Sequence, residues 1–235
     1  MIFSIKGLTD EERTLCKKTI SPKALYALVG DAIVKKESIS IVRMGDGERK
    51  ILASDAKETF TDFERDYTGW NERLGIHDMP IENLRQNILD AGNTCTYFAP
   101  SVSGISYPGY RLYDFFEARS EYYDNFFVND WTKEMIQRLL EASDGVCILH
   151  RDHESIIKSF QNNYSFAKPV HFEGFTKHSW EDNDAAIAAA MNSKSQLILF
   201  SAGPGGKIIA PSIAQGENKI VIDVGNTLIP WSEKV

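Results

Sequence analysis

The sequence is short of the features that assign a protein quickly. Among 235 residues there are three cysteines, Cys16, Cys95 and Cys147, far apart and with no CxxC pair. That argues against a disulfide framework or a cysteine zinc site. Cys95 and Cys147 lie in apolar, strand-like runs, which predicts buried thiols in a reducing compartment. Positive charge is also scarce. Lys and Arg number 26 against 33 Asp and Glu, a net charge of −7, so nucleic acid is not an expected partner. No apolar run approaches the ~20 residues of a membrane span. The opening Met1-Ile2-Phe3-Ser4-Ile5-Lys6 is too short for a signal peptide, which predicts a cytoplasmic protein. There is no internal repeat, low-complexity tract or linker, so residues 1–235 read as one domain. Oligomeric state is not legible in these features.

What is present is an alternation of short apolar runs with amphipathic stretches. Residues 1–38 read as N-terminal helices. The second opens at Ser21-Pro22, with Leu25, Leu28, Val29, Ala32 and Ile33 as its apolar stripe. Strands are predicted at 39–43, 94–99, 145–149, 168–172, 196–201 and 219–224, with helices between them. Residues 57–80 are aromatic and charged and read as a lid or insertion. The pattern predicts one Rossmann-like α/β domain, a mostly parallel sheet with helices on both faces. Ligands of such sheets bind beyond the carboxyl ends of the strands. Four polar turns are expected there: Gly45–Glu48, His150–Glu154, Ser201–Lys207 and Gly225–Asn226.

The first turn is the richest chemically. Arg43-Met44-Gly45-Asp46-Gly47-Glu48 follows the apolar run Ile39–Val42. Gly45 and Gly47 permit close backbone approach. In an extended backbone Asp46 and Glu48 would point to one side. Two hard oxygen ligands suit Mn²⁺ or Mg²⁺, which commonly also takes substrate phosphates. Arg43 would meet a phosphate or fix a carboxylate. The competing reading is a solvated, salt-bridged turn.

This hexapeptide resembles the Arg-Phe-Gly-Asp-Gly-Glu signature of the GT-D glycosyltransferases, a family first described as a domain of unknown function. The resemblance implies a divalent metal on a DxE pair, here Asp46 and Glu48, and a nucleotide-sugar donor. A UDP-sugar donor and a glycan or glycoprotein acceptor follow as expectations. Members of the family are similar in a late strand, a Gly-Pro turn and a helix, and then an Asp-Xaa-Gly. Here those elements look like Gly203-Pro204 and Asp223-Val224-Gly225. After that the chain departs from the family: Asn226-Thr227-Leu228-Ile229-Pro230-Trp231 stands where many members carry His and acidic residues. Asn226 is kept with Asp223 among the expected donor-binding residues.

Read on its own residues, Gly203-Pro204-Gly205-Gly206-Lys207 follows a strand and opens a helix. Exposed N–H groups, the helix dipole and Lys207 would cradle a diphosphate. It is not a Walker A loop, because Ser201 replaces the first glycine and Ile208 follows the lysine. A tight strand-to-helix turn is the plain alternative. Asp152 and Glu154 are the nearest source of a general base for sugar transfer to a hydroxyl. Their alternative is a solvated charged turn. Tyr107, Tyr110, Tyr113, Tyr122 and Tyr123, with Trp70, would either stack a sugar or pack the core. Together the residues predict a metal-dependent glycosyltransferase, with a Rossmann-type nucleotide- or dinucleotide-binding protein as the alternative. If Asp46 and Glu48 hold a metal, Glu48→Gln would abolish activity and leave the metal-free melt unchanged or raised, because carboxylate repulsion is relieved. If they are only salt-bridged, activity would persist and stability would fall slightly, by at most ~1 kcal/mol.

Overall fold

A computed structural model describes residues 10, 14, 18–53, 80–100, 115–117, 119–123 and 125–234, the side chains of Asp46, Lys50 and Ala53 excepted. The expected lid at 57–80 (all but Pro80), together with Trp70, Tyr107, Tyr110, Tyr113 and Cys16, lies outside the described residues.

In chain order the elements begin with β1 (Thr19–Ile20), α1 (Pro22–Lys35), β2 (Ile39–Met44), α2 (Asp46–Ala53), α3 (Ile81–Thr94) and β3 (Tyr97–Pro100). There follow β4 (Tyr122–Tyr123), α4 (Phe127–Asp130), α5 (Lys133–Ala142), β5 (Val146–Leu149), α6 (His153–Asn163) and β6 (Phe172–Phe175). The last third holds α7 (Asn183–Asn192), β7 (Leu197–Phe200), α8 (Ile209–Ile213), β8 (Ile220–Asp223) and α9 (Leu228–Glu233).

Six strands form one sheet in the order β3-β2-β8-β7-β5-β6. Every pairing in it is parallel. The last strand, β8, lies between β2 and β7. Segments far apart in sequence therefore end side by side at the carboxyl edge.

Strand periodicity sorts the side chains onto two faces. Ile39 and Ile41, Val146 and Ile148, Leu197 and Leu199, and Ile220 and Ile222 pack with α1, α4, α5, α6 and α9. Val42 and Met44, Cys147 and Leu149, Ile198 and Phe200, and Val221 pack with α2, α3, α7 and α8. The expected architecture, helices on both faces of a mostly parallel sheet, is the observed one. Local capping explains several element starts. Ser21 Oγ accepts a hydrogen bond from the Ala24 N–H and Thr132 Oγ1 one from Met135, each opening a helix.

Three sequence expectations are displaced. The fourth sheet strand was expected over 168–172 but runs Phe172–Phe175. It is the edge strand, half-buried along its length, so apolar content does not mark it. The helix expected between the first two sheet strands begins at Asp46, inside the acidic turn that was read as extended. Tyr122 and Tyr123 are each 4% exposed and belong to the core, not to a stacking platform. Cys95 and Cys147 are buried free thiols, as expected. No described helix is long and apolar enough to cross a membrane.

Candidate functional site at the carboxyl edge of the sheet

The acidic turn is the start of a helix. Gly45 precedes α2, and its carbonyl accepts the first helical bond from the Arg49 N–H at 3.2 Å. Glu48 stands at the third helical position, and its Oε2 accepts from the Gly45 N–H at 2.8 Å. This is the carboxylate half of a capping box. The extended backbone that would set residues 46 and 48 on one side is therefore absent, and positions two apart on a helix do not face each other.

The remainder of the Glu48 carboxylate meets Lys207. Lys207 Nζ lies 3.2 Å from Glu48 Oε1 and 2.6 Å from Asp223 Oδ2. Asp223 follows Val221 by two residues on β8, so its side chain emerges on the same face as α2 and α8. All three residues are buried, at 7% exposure for Glu48, 7% for Lys207 and 1% for Asp223. Burial by itself would raise the Glu48 pKa, but the Lys207 ammonium and the Gly45 N–H outweigh it, and the pKa lies below the ordinary carboxylate value. Burial would lower the Lys207 pKa, but Asp223 and Glu48 together hold it above the ordinary lysine value.

Arg43 serves the same corner from the other face of β2. Its Nε donates to the Asn125 carbonyl at 2.7 Å and its Nη1 to the Val224 carbonyl at 2.6 Å. Its backbone N–H donates to Asp223 Oδ2 at 3.2 Å. Gly225 has φ +57°, and a Cβ there would stand 3.0 Å from Arg43 Nη1. Arg43 is thus a clamp between the first and last sheet strands, where a phosphate or a carboxylate was expected as the partner of its side chain. Asn226 is exposed.

The glycine turn after β7 also differs from expectation. Gly203 has φ +58°, and Pro204–Gly206 forms a 3₁₀ turn. The N–H groups of Gly206 and Lys207 donate to Gly203 and Pro204 within it. The helix beyond, α8, has five residues and contains Pro211, so it offers little dipole to an anion. Lys207 was expected to face a phosphate and is engaged by two carboxylates. The turn is anchored by Asn183, whose Nδ2 donates to the Gly205 carbonyl at 2.8 Å. Its own shape requires glycine at 206, where a Cβ would collide with Ala202.

The turn after β5 is locally satisfied. Asp152 pairs with the Arg151 guanidinium at 3.2 Å and lies 3.9 Å from His150 Nδ1. The Asp152 side chain is half exposed and Glu154 is exposed. His153 packs its ring over Gly174. Burial lowers the His150 pKa, which keeps that imidazole neutral near pH 7.

Two residues in this region escaped the sequence reading. Lys177, beyond β6, is 3% exposed, and burial pulls its pKa down to about 8. Asn183 is 8% exposed, with its Oδ1 unpartnered. Neither stands in a recognisable motif. The nearby signal, Ser179 and Asp182 as a capping box, concerns only the start of the next helix.

The donor set of the acidic corner is carboxylate oxygen, the type a hard divalent cation takes. Glu48 and Asp223 already converge on one cationic group, which is the Lys207 ammonium. A divalent ion fits between them in charge and ligand type once that ammonium moves aside. Among the described residues no group of three His, Cys, Asp or Glu side chains is placed to hold a metal ion.

No protein-family profile matches this sequence, and no curated protein matches it. Solved structures do match in fold. One is described as the highly conserved domain of unknown function 1792 with a distinct glycosyltransferase fold. It superposes with a TM-score of 0.59 at 16% identity, over 95% of this chain and 84% of that one. A selenomethionine structure of the same domain gives 0.55 at 16% identity, over 94% and 85% of the two chains. A third, a new glycosyltransferase of that domain from Streptococcus sanguinis, gives 0.53 at 15% identity, over 88% and 82%. At these identities the likeness establishes a shared glycosyltransferase fold, the one the Arg-Met-Gly-Asp-Gly-Glu resemblance implied.

Proposed function

We propose that the chain is a glycosyltransferase moving a sugar from a nucleotide-sugar donor, a UDP-sugar first among them, to a hydroxyl of a glycan or glycoprotein acceptor. The observation that carries this reading is the buried corner Glu48–Lys207–Asp223. It sits at the carboxyl edge of a sheet whose fold is shared with glycosyltransferase structures. Of the expected pair Asp46 and Glu48, Glu48 would hold Mn²⁺ or Mg²⁺, with Asp223 as the facing carboxylate where Asp46 was expected. When bound, such an ion supplies Lewis-acid neutralisation of a diphosphate leaving group. The chain's own residues do the rest. Arg43 locks β2 to β8 and so fixes the distance between Glu48 and Asp223. The Gly203–Gly206 turn lies next to that corner and would receive the donor diphosphate. Asp152 or Glu154 would take the proton of the acceptor hydroxyl, and both are accessible to do so. Buried free thiols support a reducing, cytoplasmic setting.

One observation favours a second reading. Lys207 already neutralises the carboxylates, as in a nucleotide-binding protein that needs no metal and transfers no sugar. A panel of nucleotide sugars, incubated with and without Mn²⁺ or Mg²⁺ and read by release of free nucleotide, separates the two. The transferase reading expects metal-stimulated release that Glu48→Gln abolishes. Tight nucleotide binding without release from any donor would put the second reading in its place.

A further inference from the structure

Three lysines are buried among the described residues, and their surroundings are unequal. Lys207 has two carboxylates. Lys219 donates to the carbonyls of Ser193 and Ser195 at 2.8 and 3.0 Å. Lys177 donates to a single carbonyl, that of Ser179. The nearby Asp182 carboxylate is turned to the His178 and Ser179 N–H groups, at 2.7 and 2.9 Å. Among the described residues no carboxylate pairs with Lys177. Asp182 attracts it without forming an ion pair, and an ammonium buried this deeply with one hydrogen-bond partner is costly unless a counter-ion is supplied.

Its place says which counter-ion. A Cβ built on Gly206 would stand 3.5 Å from Lys177 Cε, so the lysine stem lies along the glycine turn. The same turn is held by Asn183, at the start of α7, whose Oδ1 is unfilled. The orientation of that amide is set by chemistry: the Gly205 carbonyl only accepts, so Nδ2 must face it and Oδ1 must face away. An under-satisfied cation and an unfilled acceptor thus flank one turn. A phosphate oxygen suits the first and a hydroxyl donor the second. A nucleoside diphosphate has both.

We propose that Lys177, not Lys207, is the phosphate-binding lysine of this site, with Asn183 Oδ1 receiving a hydroxyl of the same nucleoside diphosphate. This rests on the donor reading above. Lys207 is left to its internal role of neutralising Glu48 and Asp223.

The test is calorimetry on the full chain with UDP and with inorganic pyrophosphate, in the presence of Mn²⁺. Loss of a charge-assisted phosphate contact lowers affinity roughly tenfold to a hundredfold. Lys177→Met should show that loss with both probes while its melting temperature stays level or rises, since a buried charge with no ion-pair partner is removed. Wild-type binding of UDP with Lys177→Met within threefold of it overturns the proposal and leaves the donor reading standing. Pyrophosphate binding that depends on Lys177, with no UDP binding by the wild type, keeps the lysine site and removes the nucleotide donor. Binding of neither probe removes both. Amine labelling of the wild type, read by mass spectrometry, needs no variant. UDP should slow modification of Lys177 several-fold, and an unchanged rate counts against the proposal.

Discussion

Two turns of this chain look alike as sequence and behave differently as structure. Asp46-Gly47-Glu48 and Asp152-His153-Glu154 each follow a buried parallel strand and each carries two carboxylates at the same spacing. In the first, Glu48 caps its helix and closes on a lysine from another part of the chain. In the second, Asp152 caps nothing with its side chain and pairs with its neighbour Arg151 at the surface. The difference comes from the adjoining strand. β2 lies beside β8, which ends in Asp223, and β8 lies beside β7, which leads to Lys207. A carboxylate from such a turn joins a buried, charge-coupled corner where neighbouring strands bring it a counter-ion, as they do for Glu48.

The strongest way to break that contrast is Lys207→Met. It leaves Glu48 and Asp223 as two buried carboxylates with no cation between them. Breaking a buried pair in this way costs about 3–5 kcal/mol. Urea unfolding should show that loss, and a change under ~1 kcal/mol would place the triad on a par with the surface turn.

Glu48→Gln comes next, and its sign follows the salt-bridged alternative, not the level or raised melt of the metal-pair reading. Glu48 is held in an ion pair by Lys207, so removing its charge loses an attraction. The amide oxygen introduced by Glu48→Gln would still accept from the Gly45 N–H, but Lys207 would keep only one charged partner. A net loss of about 1–3 kcal/mol is expected. Its pH dependence follows from the directions of the shifts. The Glu48 pKa is depressed, so its contribution exists above the ordinary carboxylate range and is lost as pH falls through the folded value. The Lys207 pKa is raised, so its contribution exists below the ordinary lysine value and is lost as pH rises through the folded value. The gap between wild type and variant is therefore widest at neutral pH. A gap that grows towards acid would contradict the pairing.

Gly225→Ala sharpens the comparison from the other strand. Its φ of +57° strains any side chain, by about 1–2 kcal/mol, and the new Cβ would press on Arg43 Nη1. The cost should fall when combined with Arg43→Met, because the crowded guanidinium is gone. Equal costs in both backgrounds would mean that Arg43 does not clamp the strands.

Much of the fold was legible in the sequence because β2, β5, β7 and β8 are covered on both faces. Such strands are continuous apolar runs, and they stand close to where the runs do. β6 was misplaced because an edge strand buries only part of each residue. The site was legible in its parts and not in its pairings. Gly45 and Glu48 carry a helix-start signal, a residue fit for the cap followed three positions later by Glu, which the extended reading passed over. The bond from Lys207 to Asp223 and Glu48 depends on β8 entering between β2 and β7, and strand order is not written in any local pattern. Lys177 was invisible for a similar reason: its stem lies along the turn after β7, which is distant in sequence.

The smallest effect is expected at the exposed turn, and it separates stability from chemistry. Asp152→Asn removes one member of a solvent-exposed pair with Arg151, which is worth little. Unfolding free energy should move by no more than ~0.5 kcal/mol. If Asp152 takes the acceptor proton, kcat should nevertheless fall, by roughly 10²–10⁴-fold, with donor binding unchanged. Glu154→Gln, at an equally exposed position, gives the matched control, since only one of the two carboxylates can be within reach of a given hydroxyl. A fall in one variant names the base. Full activity in both would mean that this second DxE is a solvated helix start and that the proton leaves by another route. The contrast between the two turns would then extend from packing to chemistry.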